Sequence, residues 1–361
     1  MIDTDPNSIR AIMSGSAKGL KPALLRSALS VAAPFYAGAM RLRNAAYDAG
    51  AFRSHDLGRP TIAFGNITTG GTGKTPLVRW AAEQLRVVGI HVGILSRGYG
   101  STRENPLGDE LTMLCHQLND EQATPIQFIA DPDRVASAAK LLAEHPQTQA
   151  ILLDDAFQHR RARRNLNIVL INATEPFGFG HVLPRGLLRE PLSGLRRADA
   201  VALTHVNRVS KSEILNLESK IFRFVPSAPI YHTSHQLSAV RTPDGSASLD
   251  SLRNLKLFGF CGVGTPAAFD RDISELGNRV GFRAFDDHHV YSSADIEHLE
   301  RDAQSAGAEA LVTTEKDWVK LSPLVGALPI PVWRLEMRIA FESDHDAQLL
   351  RQIQIAIVGA K

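Results

Sequence analysis

The chain has 361 residues and a mass of 39.3 kDa, enough for one large or two ordinary domains. Apolar residues make up 44% and charged residues 22%, which excludes an intrinsically disordered chain. Basic residues number 40 and acidic residues 38, so no overall charge attracts nucleic acid. Two widely separated cysteines, Cys115 and Cys261, exclude a disulfide scaffold and favour the reducing cytoplasm.

The first predicted element is an apolar segment near the N-terminus. Residues 27–40 carry no charge and are flanked by basic residues on both sides. A spanning helix needs about 20 apolar residues, and Pro34 interrupts this stretch, so we do not expect it to cross a bilayer. Two interpretations remain. The segment is either an amphipathic helix packed on the core or an interfacial helix whose cationic flanks meet anionic headgroups.

From residue 60 onward, short apolar strands alternate with amphipathic helices. The first alternation predicts strands at 61–64, 91–95, 126–129, 150–153, 168–171 and 200–203, with helices at 75–87 and 132–144. The second predicts strands at 257–261, 282–285 and 310–313, with helices at 267–276 and 294–306. Between them, 230–248 holds a Pro-Asp-Gly turn and few helix formers. Such alternation favours parallel sheets covered by helices on both faces.

A glycine-rich loop is the strongest local signal. Residues 65–75, with the sequence GNITTGGTGKT, follow a predicted strand and open a predicted helix, as a phosphate-binding loop requires. Lys74 would reach the β- and γ-phosphates, and the Thr75 hydroxyl would bind Mg²⁺. Thr68 stands where the strict pattern has glycine. The alternative is a chance glycine-rich turn, which the Gly-Lys-Thr sequence disfavours, so we predict a purine nucleotide site.

Paired acids follow the predicted strand 150–153. A carboxylate of Asp154 or Asp155 would face the phosphate loop across the sheet and hold Mg²⁺. The alternative role is to cap a following helix. The phosphate loop in the same sheet favours the metal-binding role.

Arginine is concentrated between residues 159 and 197. This segment has eight arginines, no lysine and two acidic residues. Arginine without lysine favours bidentate binding of phosphate, whereas a solvated loop or a nucleic-acid patch is the alternative. Because the run 159–164 lacks interleaved aromatic residues, we expect a negatively charged substrate or nucleotide and no nucleic-acid partner.

Two further segments carry candidate catalytic groups. Asp109 follows a polar loop, and Asp287-His288-His289 follows the predicted strand 282–285. A kinase acting on an alcohol needs a group that orients and deprotonates the hydroxyl, and an aspartate with a histidine partner could supply it. The sequence alone does not bring positions 109 and 288 together.

These segments together resemble the tetraacyldisaccharide 4′-kinase family, whose members phosphorylate a membrane-bound glucosamine disaccharide in lipid A biosynthesis. The resemblance covers most of the chain from residue 60, and the family also has threonine at the position of Thr68. The matching stretches occur in family order, at 65–76, 96–100, 108–110, 154–172, 183–191, 287–289 and 314–320. One such motif would be weak evidence, whereas the ordered set is highly specific.

The resemblance implies a site for ATP and Mg²⁺. ATP phosphates would bind the loop residues Thr68, Gly70, Gly71, Thr72, Gly73, Lys74 and Thr75. Mg²⁺ would be held by Thr75, Asp154, Asp155 and Glu190. The catalytic residues would be Lys74, Asp109 as the base on the 4′-hydroxyl group, and His288 as its partner. The phosphate and substrate cleft would be lined by Arg97, Tyr99, Gln158, His159 and Arg189.

Two positions differ from the motifs that are usual in this family. Leu111 stands where the family has proline after Gly-Asp-Glu, and Ala156 stands where it has glycine after Asp-Asp. Alanine does not easily adopt a positive φ, so we expect either an unstrained backbone or an altered loop at residue 156.

The element pattern and the motifs predict an α/β fold of two domains. A P-loop NTPase-like parallel-sheet domain is joined by an extended or β-ribbon linker to a second, smaller α/β domain. The expected division is an N-terminal helical membrane-associated segment 1–58, the kinase core 59–228, the linker 229–255 and the C-terminal domain 256–361.

The expected function is transfer of the γ-phosphate of ATP to the 4′-hydroxyl of a tetraacylated glucosamine disaccharide 1-phosphate. The protein would act as a monomer on the cytoplasmic face of the inner membrane, peripheral or monotopic. One alternative is a membrane-associated P-loop switch ATPase. Many such proteins have a second lysine where this chain has Thr69, and its absence disfavours this alternative. Another is a nucleic-acid-dependent ATPase, which DNA or RNA would stimulate.

Overall fold

The computed structural model describes residues 6–98, 105–119, 125–242, 245–264, 266–287, 289–325 and 328–359. Its strands are β1 (Thr61–Asn66), β2 (Val92–Ser96), β3 (Gln127–Ala130), β4 (Ala150–Leu153), β5 (Leu166–Asn172), β6 (Ala200–Thr204), β7 (Ile230–Thr242), β8 (Gly245–Ala247), β9 (Lys256–Cys261), β10 (Asn278–Ala284), β11 (Ala310–Thr314) and β12 (Val332–Phe341). Its α-helices are α1 (Pro6–Ser14), α2 (Leu20–Asp48), α3 (Lys74–Val87), α4 (Asp109–Asn119), α5 (Arg134–Glu144), α6 (Lys211–Phe222), α7 (Pro266–Leu276), α8 (Ser293–Ser305), α9 (Glu315–Leu321) and α10 (His345–Val358). They form two compact units, the first made of 1–98, 123–234 and 340–361, and the second of 99–122 and 235–339.

The first unit is built on a parallel sheet. Its strands follow the order β6-β5-β1-β4-β2-β3, and the first residues of β7 pair in parallel with β6. Strands β1, β4 and β6 are buried along their whole length, as strands of a parallel sheet covered on both faces must be. The glycine-rich loop follows the carboxyl end of β1 and leads into α3.

Local sequence explains the helices of this unit. In α3, Leu77, Val78, Ala81, Ala82 and Leu85 recur at helical spacing and are buried. Asp133 is the N-cap of α5, and its carboxylate accepts hydrogen bonds from two backbone N–H groups of the first turn. A capping box between Ser210 and Glu213 starts α6 in the same way.

The second unit has its own sheet and core. Strands β10, β9, β11 and β12 lie side by side and are parallel, while β8 pairs antiparallel with the end of β7. One hydrophobic cluster includes Phe258, Phe260, Leu299 and Leu311. The β7–β8 hairpin agrees with the extended ribbon expected at 229–255.

The predicted α/β class is confirmed, whereas the two units do not follow the contiguous ranges that we predicted. Residues 340–361, which contain α10, pack with the first unit rather than with 256–339. Helix α4 belongs to the second unit, although its sequence lies inside the range 59–228. The segment 1–58 clusters with the first unit instead of standing apart. The hydrophobic pattern predicts the order of the elements along the chain, but it does not indicate which sheet a returning element covers.

Helix α2 is longer than the uncharged stretch that predicted it. It runs for 29 residues through Pro34, and by length and composition it could cross a membrane. Only its Ala33 and Ala37 are buried. Its exposed large apolar residues are Leu20, Leu24, Val31, Phe35 and Leu42. At 100° per residue, these five fall within a sector of about 60°, so they form one exposed apolar stripe. This stripe fits membrane association, while the other face of α2 contacts the rest of the first unit.

Candidate functional site

The loop between β1 and α3 has the backbone of an anion-binding turn. Gly70 and Gly73 adopt positive φ angles of 106° and 78°. A Cβ atom placed on Gly70 or Gly71 would meet no heavy atom within 4 Å, so this part of the loop faces open space. Gly73 is the N-cap of α3, and no side chain caps that helix. The first N–H groups of α3 are therefore available to a phosphate oxygen.

The loop is held from behind by other segments of the first unit. The Thr69 N–H donates to the Leu187 carbonyl at 2.7 Å, and Thr68 forms an antiparallel bridge to Leu188. The Thr204 hydroxyl donates to the Thr72 carbonyl at 3.0 Å. The Thr72 hydroxyl is itself buried and has no hydrogen-bond partner among the described residues. A buried hydroxyl without a protein partner fits a loop that is completed by a bound phosphate.

Three charged side chains meet beside the loop. Lys74 Nζ lies 3.4 Å from Asp155 Oδ1, and Arg189 Nη1 donates to both Asp155 oxygens at 2.9 Å. Burial raises the pKa of Asp155, but attraction to Lys74 and Arg189 outweighs it, so the pKa lies below its ordinary value. Asp155 is therefore ionised at neutral pH, next to the lysine that was predicted to bind phosphate.

The backbone conformation explains how alanine is accommodated at position 156, where the family usually has glycine. The residue with positive φ is Asp155, at 50°, and Ala156 is fully buried with its N–H donating to the Phe64 carbonyl at 3.0 Å. Aspartate is among the residues that adopt this left-handed region most readily. Ala156 therefore fits an unstrained position, and the conformational constraint falls on the acidic residue before it.

Glu190 has a different environment from the one that we predicted. Its side chain is fully buried, and its two oxygens accept hydrogen bonds from Arg197, Gln158 and Asn44 at 2.8–3.0 Å. Within the described residues, no group of three or more His, Cys, Asp or Glu side chains could hold a metal ion. Mg²⁺ usually binds through one or two carboxylates plus phosphate oxygens and water. Asp154 and Asp155, next to the loop that carries Thr75, fit that requirement without Glu190.

The residues predicted to line the cleft differ in their surroundings. Gln158 donates from its side chain to the Asn66 carbonyl at 2.9 Å, whereas Arg97 is exposed after β2. Burial, together with Arg134 and Arg164, lowers the pKa of His159 to about 4, so its imidazole is neutral at pH 7. His159 Nε2 is buried and has no hydrogen-bond partner among the described residues. Tyr99 lies outside the described residues.

The arginine-rich segment is largely occupied by contacts within the protein. Arg160 donates to Asp48, Arg161 to Asp133 and Arg197 to Glu190. Arg164 and Arg185 donate to backbone carbonyls. These bonds connect the segment to α1, α2, the start of α5 and the turn after β4, so most of its charge is not presented as a nucleic-acid patch.

Asp109 belongs to the second unit and is the first residue of α4. Its carboxylate accepts from Asn105 Nδ2 at 3.3 Å and lies 3.7 Å from Lys320 Nζ. Leu111 follows inside the helix and is buried, so leucine replaces proline at a packed helical position. His288 lies outside the described residues, but both of its neighbours are described. Lys316 contacts Asp287, and Lys320 contacts the His289 carbonyl, each at 2.9 Å. We predicted no role for these two lysines from the sequence.

Three comparisons with known proteins agree. A family model described as tetraacyldisaccharide-1-P 4′-kinase matches residues 25–354. A tetraacyldisaccharide 4′-kinase from Syntrophus aciditrophicus is 36% identical over 347 residues, 90% of this chain and 92% of that protein. Another from Pelobacter propionicus is 37% identical over 350 residues, covering 92% and 93% of the two chains. The crystal structure of LpxK from Aquifex aeolicus in complex with ATP is 28% identical, with a TM-score of 0.72 over 92% of this chain and 99% of that one.

Proposed function

The chain belongs to the tetraacyldisaccharide-1-P 4′-kinase family, and from this premise we propose that it phosphorylates the 4′-hydroxyl of a tetraacylated glucosamine disaccharide 1-phosphate. ATP is the phosphoryl donor, as the ATP complex of the Aquifex LpxK supports. One observation carries the proposal. An open glycine loop, followed by a helix without a side-chain cap, lies beside the ion pair of Lys74 and Asp155. This arrangement provides backbone donors, a cation and a metal-binding carboxylate at one place.

The first unit holds the nucleotide. Backbone N–H groups of 70–75 and the start of α3 surround the phosphates, and Lys74 binds the β- and γ-phosphates. When bound, Mg²⁺ neutralises charge on the phosphate oxygens, and Thr75, Asp154 and Asp155 are the residues that would hold it. Arg189 keeps Asp155 ionised and oriented through two hydrogen bonds of 2.9 Å. Glu190 supports this arrangement indirectly, because Gln158 joins its carboxylate to the Asn66 carbonyl beside the loop.

The chemical step is an in-line displacement. The sugar 4′-oxygen forms a bond to the γ-phosphorus while the bond to the β–γ bridging oxygen breaks and ADP leaves. Asp109 accepts the hydroxyl proton, with His288 as its partner, as the family resemblance implies. Most of the rate enhancement then comes from positioning and charge neutralisation.

The acyl chains of the substrate place the reaction at a membrane. The exposed apolar stripe of α2 is a suitable contact for the acyl boundary. The opposite face of α2 contacts the rest of the first unit through Tyr36 and Asn44. Because ATP is supplied by the cytoplasm, we place the protein on the cytoplasmic face of the inner membrane, as a peripheral or monotopic monomer.

The test is phosphate transfer from ATP to the tetraacylated disaccharide 1-phosphate in detergent micelles with Mg²⁺, with the product measured by mass. We expect a product heavier by one phosphoryl group. Lys74→Ala should abolish it with little change in melting temperature, whereas Lys140→Ala, which removes an exposed lysine of α5, should not. ATP hydrolysis that depends on Lys74 but yields no phosphorylated lipid would refute the kinase proposal in favour of a switch ATPase.

A further inference from the structure

Two lysines of α9 have no role in the reaction described so far. Lys316 and Lys320 are four residues apart, so their side chains leave the same face of the helix. Their side chains are only 19% and 11% exposed. A lysine that is this buried requires partners for its charge, and the identity of those partners indicates what it does.

Lys320 connects two segments that are far apart in the sequence. Its ammonium group donates to the His289 carbonyl at 2.9 Å and lies 3.7 Å from Asp109 Oδ2. It also lies 5.9 Å from the centre of the Tyr291 ring, within the range of a cation–π contact. One side chain therefore contacts the acid that we propose as the base and the segment that follows β10.

Lys316, one helical turn before Lys320, contacts the same segment after β10. Its ammonium group donates to Asp287 Oδ1 at 2.9 Å. The two lysines thus bind the residues on either side of position 288 in the sequence. An isolated surface lysine pair would contribute little. Here the two lysine side chains are 19% and 11% exposed, and each makes a defined contact with a residue beside position 288.

Helix α9 is a rigid base for these contacts. Asp317 is fully buried and accepts hydrogen bonds from the Tyr291 hydroxyl at 3.0 Å, the Gly262 N–H at 3.1 Å and the Thr314 hydroxyl at 2.6 Å. Asp317 N–H in turn donates to Thr314 Oγ1, which caps the helix. Both carboxylate oxygens therefore accept hydrogen bonds, and rotation or sliding of α9 would break several buried hydrogen bonds. Such a network favours fixed positions for the groups that α9 carries, as a functional site requires.

We propose that Lys320 is a positioning residue for phosphoryl transfer, which orients the Asp109 carboxylate and fixes it relative to the His289 carbonyl. Lys316 supports the segment after β10 through Asp287. This inference rests on the proposed function, because it assigns Lys320 a role only through Asp109. The structure favours it over simple neutralisation of a nearby acid, since the same ammonium group also binds the His289 carbonyl.

The first experiment compares Lys320→Met with Lys320→Arg and with Lys256→Met, which removes an exposed lysine of the same unit. We expect Lys320→Met to lower kcat for lipid phosphorylation by about 10²-fold, the usual effect of misplacing a reacting group. KM for ATP should stay within about twofold, because the nucleotide site lies on the first unit. Lys320→Arg should restore part of kcat, and Lys256→Met should match the wild type. If Lys320→Met does not fold, Lys320→Gln removes the charge and keeps an N–H donor on a shorter side chain.

The second experiment is a double-mutant cycle with Asp109→Asn. If Lys320 acts through Asp109, adding Lys320→Met to Asp109→Asn should lower kcat no further. Multiplicative effects would overturn the inference, as would an unchanged kcat in either single variant. Wild-type protein that forms no phosphorylated lipid would overturn the proposed function together with this inference. A wild-type product that Lys320→Met leaves unaltered would overturn the inference alone.

Discussion

Two glycines near the nucleotide loop show how single residues serve different purposes. A Cβ atom on Gly65 would lie 2.5 Å from the Phe157 backbone nitrogen, so β1 and the segment after β4 could not approach as they do. A Cβ atom on Gly71 would meet nothing within 4 Å. Gly65 is therefore required by packing, and Gly71 by the access of a ligand to the backbone.

Gly65→Ala should lower the free energy of unfolding by about 3 kcal/mol, because backbone atoms cannot move aside as a flexible side chain can. Gly71→Ala should change it by less than about 0.5 kcal/mol and raise KM for ATP by about tenfold, since its methyl group enters the space proposed for phosphate. Urea unfolding and steady-state kinetics measure both. A destabilised Gly71→Ala protein, or one with an unchanged KM, would contradict this assignment.

His159 predicts a pH dependence of stability. Burial, together with Arg134 and Arg164, lowers its pKa to about 4 in the folded protein, from an ordinary value of 6.5. Between these two values the unfolded chain binds a proton that the folded chain does not. The contribution of His159 to the free energy of unfolding is therefore fully present above pH 6.5. It is lost as pH falls towards 4, by up to about 1.4 kcal/mol per pH unit.

His159→Asn should remove this part of the pH dependence. Urea unfolding at pH 7, 6 and 5 should show the wild type losing stability relative to the variant as pH falls. The pKa of His205 is also lowered to about 4, but His205 is present in both proteins, so its contribution cancels. A difference between the two proteins that does not vary with pH would refute the assignment.

At the scale of elements, α2 has two faces with separate partners. Its polar face reaches the segments that surround the nucleotide loop, since the Tyr36 hydroxyl donates to the Arg189 carbonyl at 2.7 Å and Asn44 donates to Glu190 at 2.9 Å. Its apolar stripe contacts water, with Phe35 77% exposed and Val31 68% exposed. An apolar stripe of this size, on a helix that contacts the nucleotide-binding segments of the first unit, is suited to a lipid surface.

Val31→Glu and Phe35→Glu should weaken binding to anionic lipid vesicles more than tenfold, because each apolar side chain contributes about 1.5–3 kcal/mol when buried. Their melting temperatures should stay close to that of the wild type. Ile355→Glu is the matched control, because Ile355 is 64% exposed on α10. Vesicle co-sedimentation measures the effect. Equal loss of binding in all three variants would indicate nonspecific charge repulsion instead.

At the scale of the whole molecule, the chain leaves the first unit and returns to it. Helix α10 buries Leu349, Ile353 and Ile357 in that unit, and the Phe341 ring packs 4.6 Å from Trp80. His232 adds a polar connection, because its two ring nitrogens contact Glu218 and Glu342 at 2.7 and 2.9 Å. The first unit therefore depends on residues that follow the whole second unit in the sequence.

A fragment of residues 59–228, the predicted kinase core, should not unfold cooperatively, since it lacks α10. In the full chain, Ile353→Ala should cost about 2–5 kcal/mol, whereas Ile355→Ala should cost less than about 0.5 kcal/mol. Guanidinium unfolding followed by circular dichroism measures each. A cooperative transition in the isolated fragment would show that α10 is dispensable for the first unit.

Local features of the sequence were sufficient for much of the fold and of the nucleotide site. Runs such as 150–153 predicted β4 because apolar length and flanking residues act over a few positions. The Gly-Lys-Thr loop and Asp154-Asp155 could be proposed as a nucleotide site because their groups are adjacent in the chain and follow predictable strand ends. Boundaries were less accurate where a strand is partly exposed, as in β10, which begins four residues before the predicted start.

Other features depend on contacts between residues that are distant in the chain, and only the tertiary structure decided them. The burial of Glu190 among Arg197, Gln158 and Asn44 required α2 to pack against the segment 158–197. The contact of Lys320 with Asp109 joins α9 to α4 across some two hundred residues of sequence. Such contacts depend on which faces of folded elements meet, and residue periodicity carries no information about that choice.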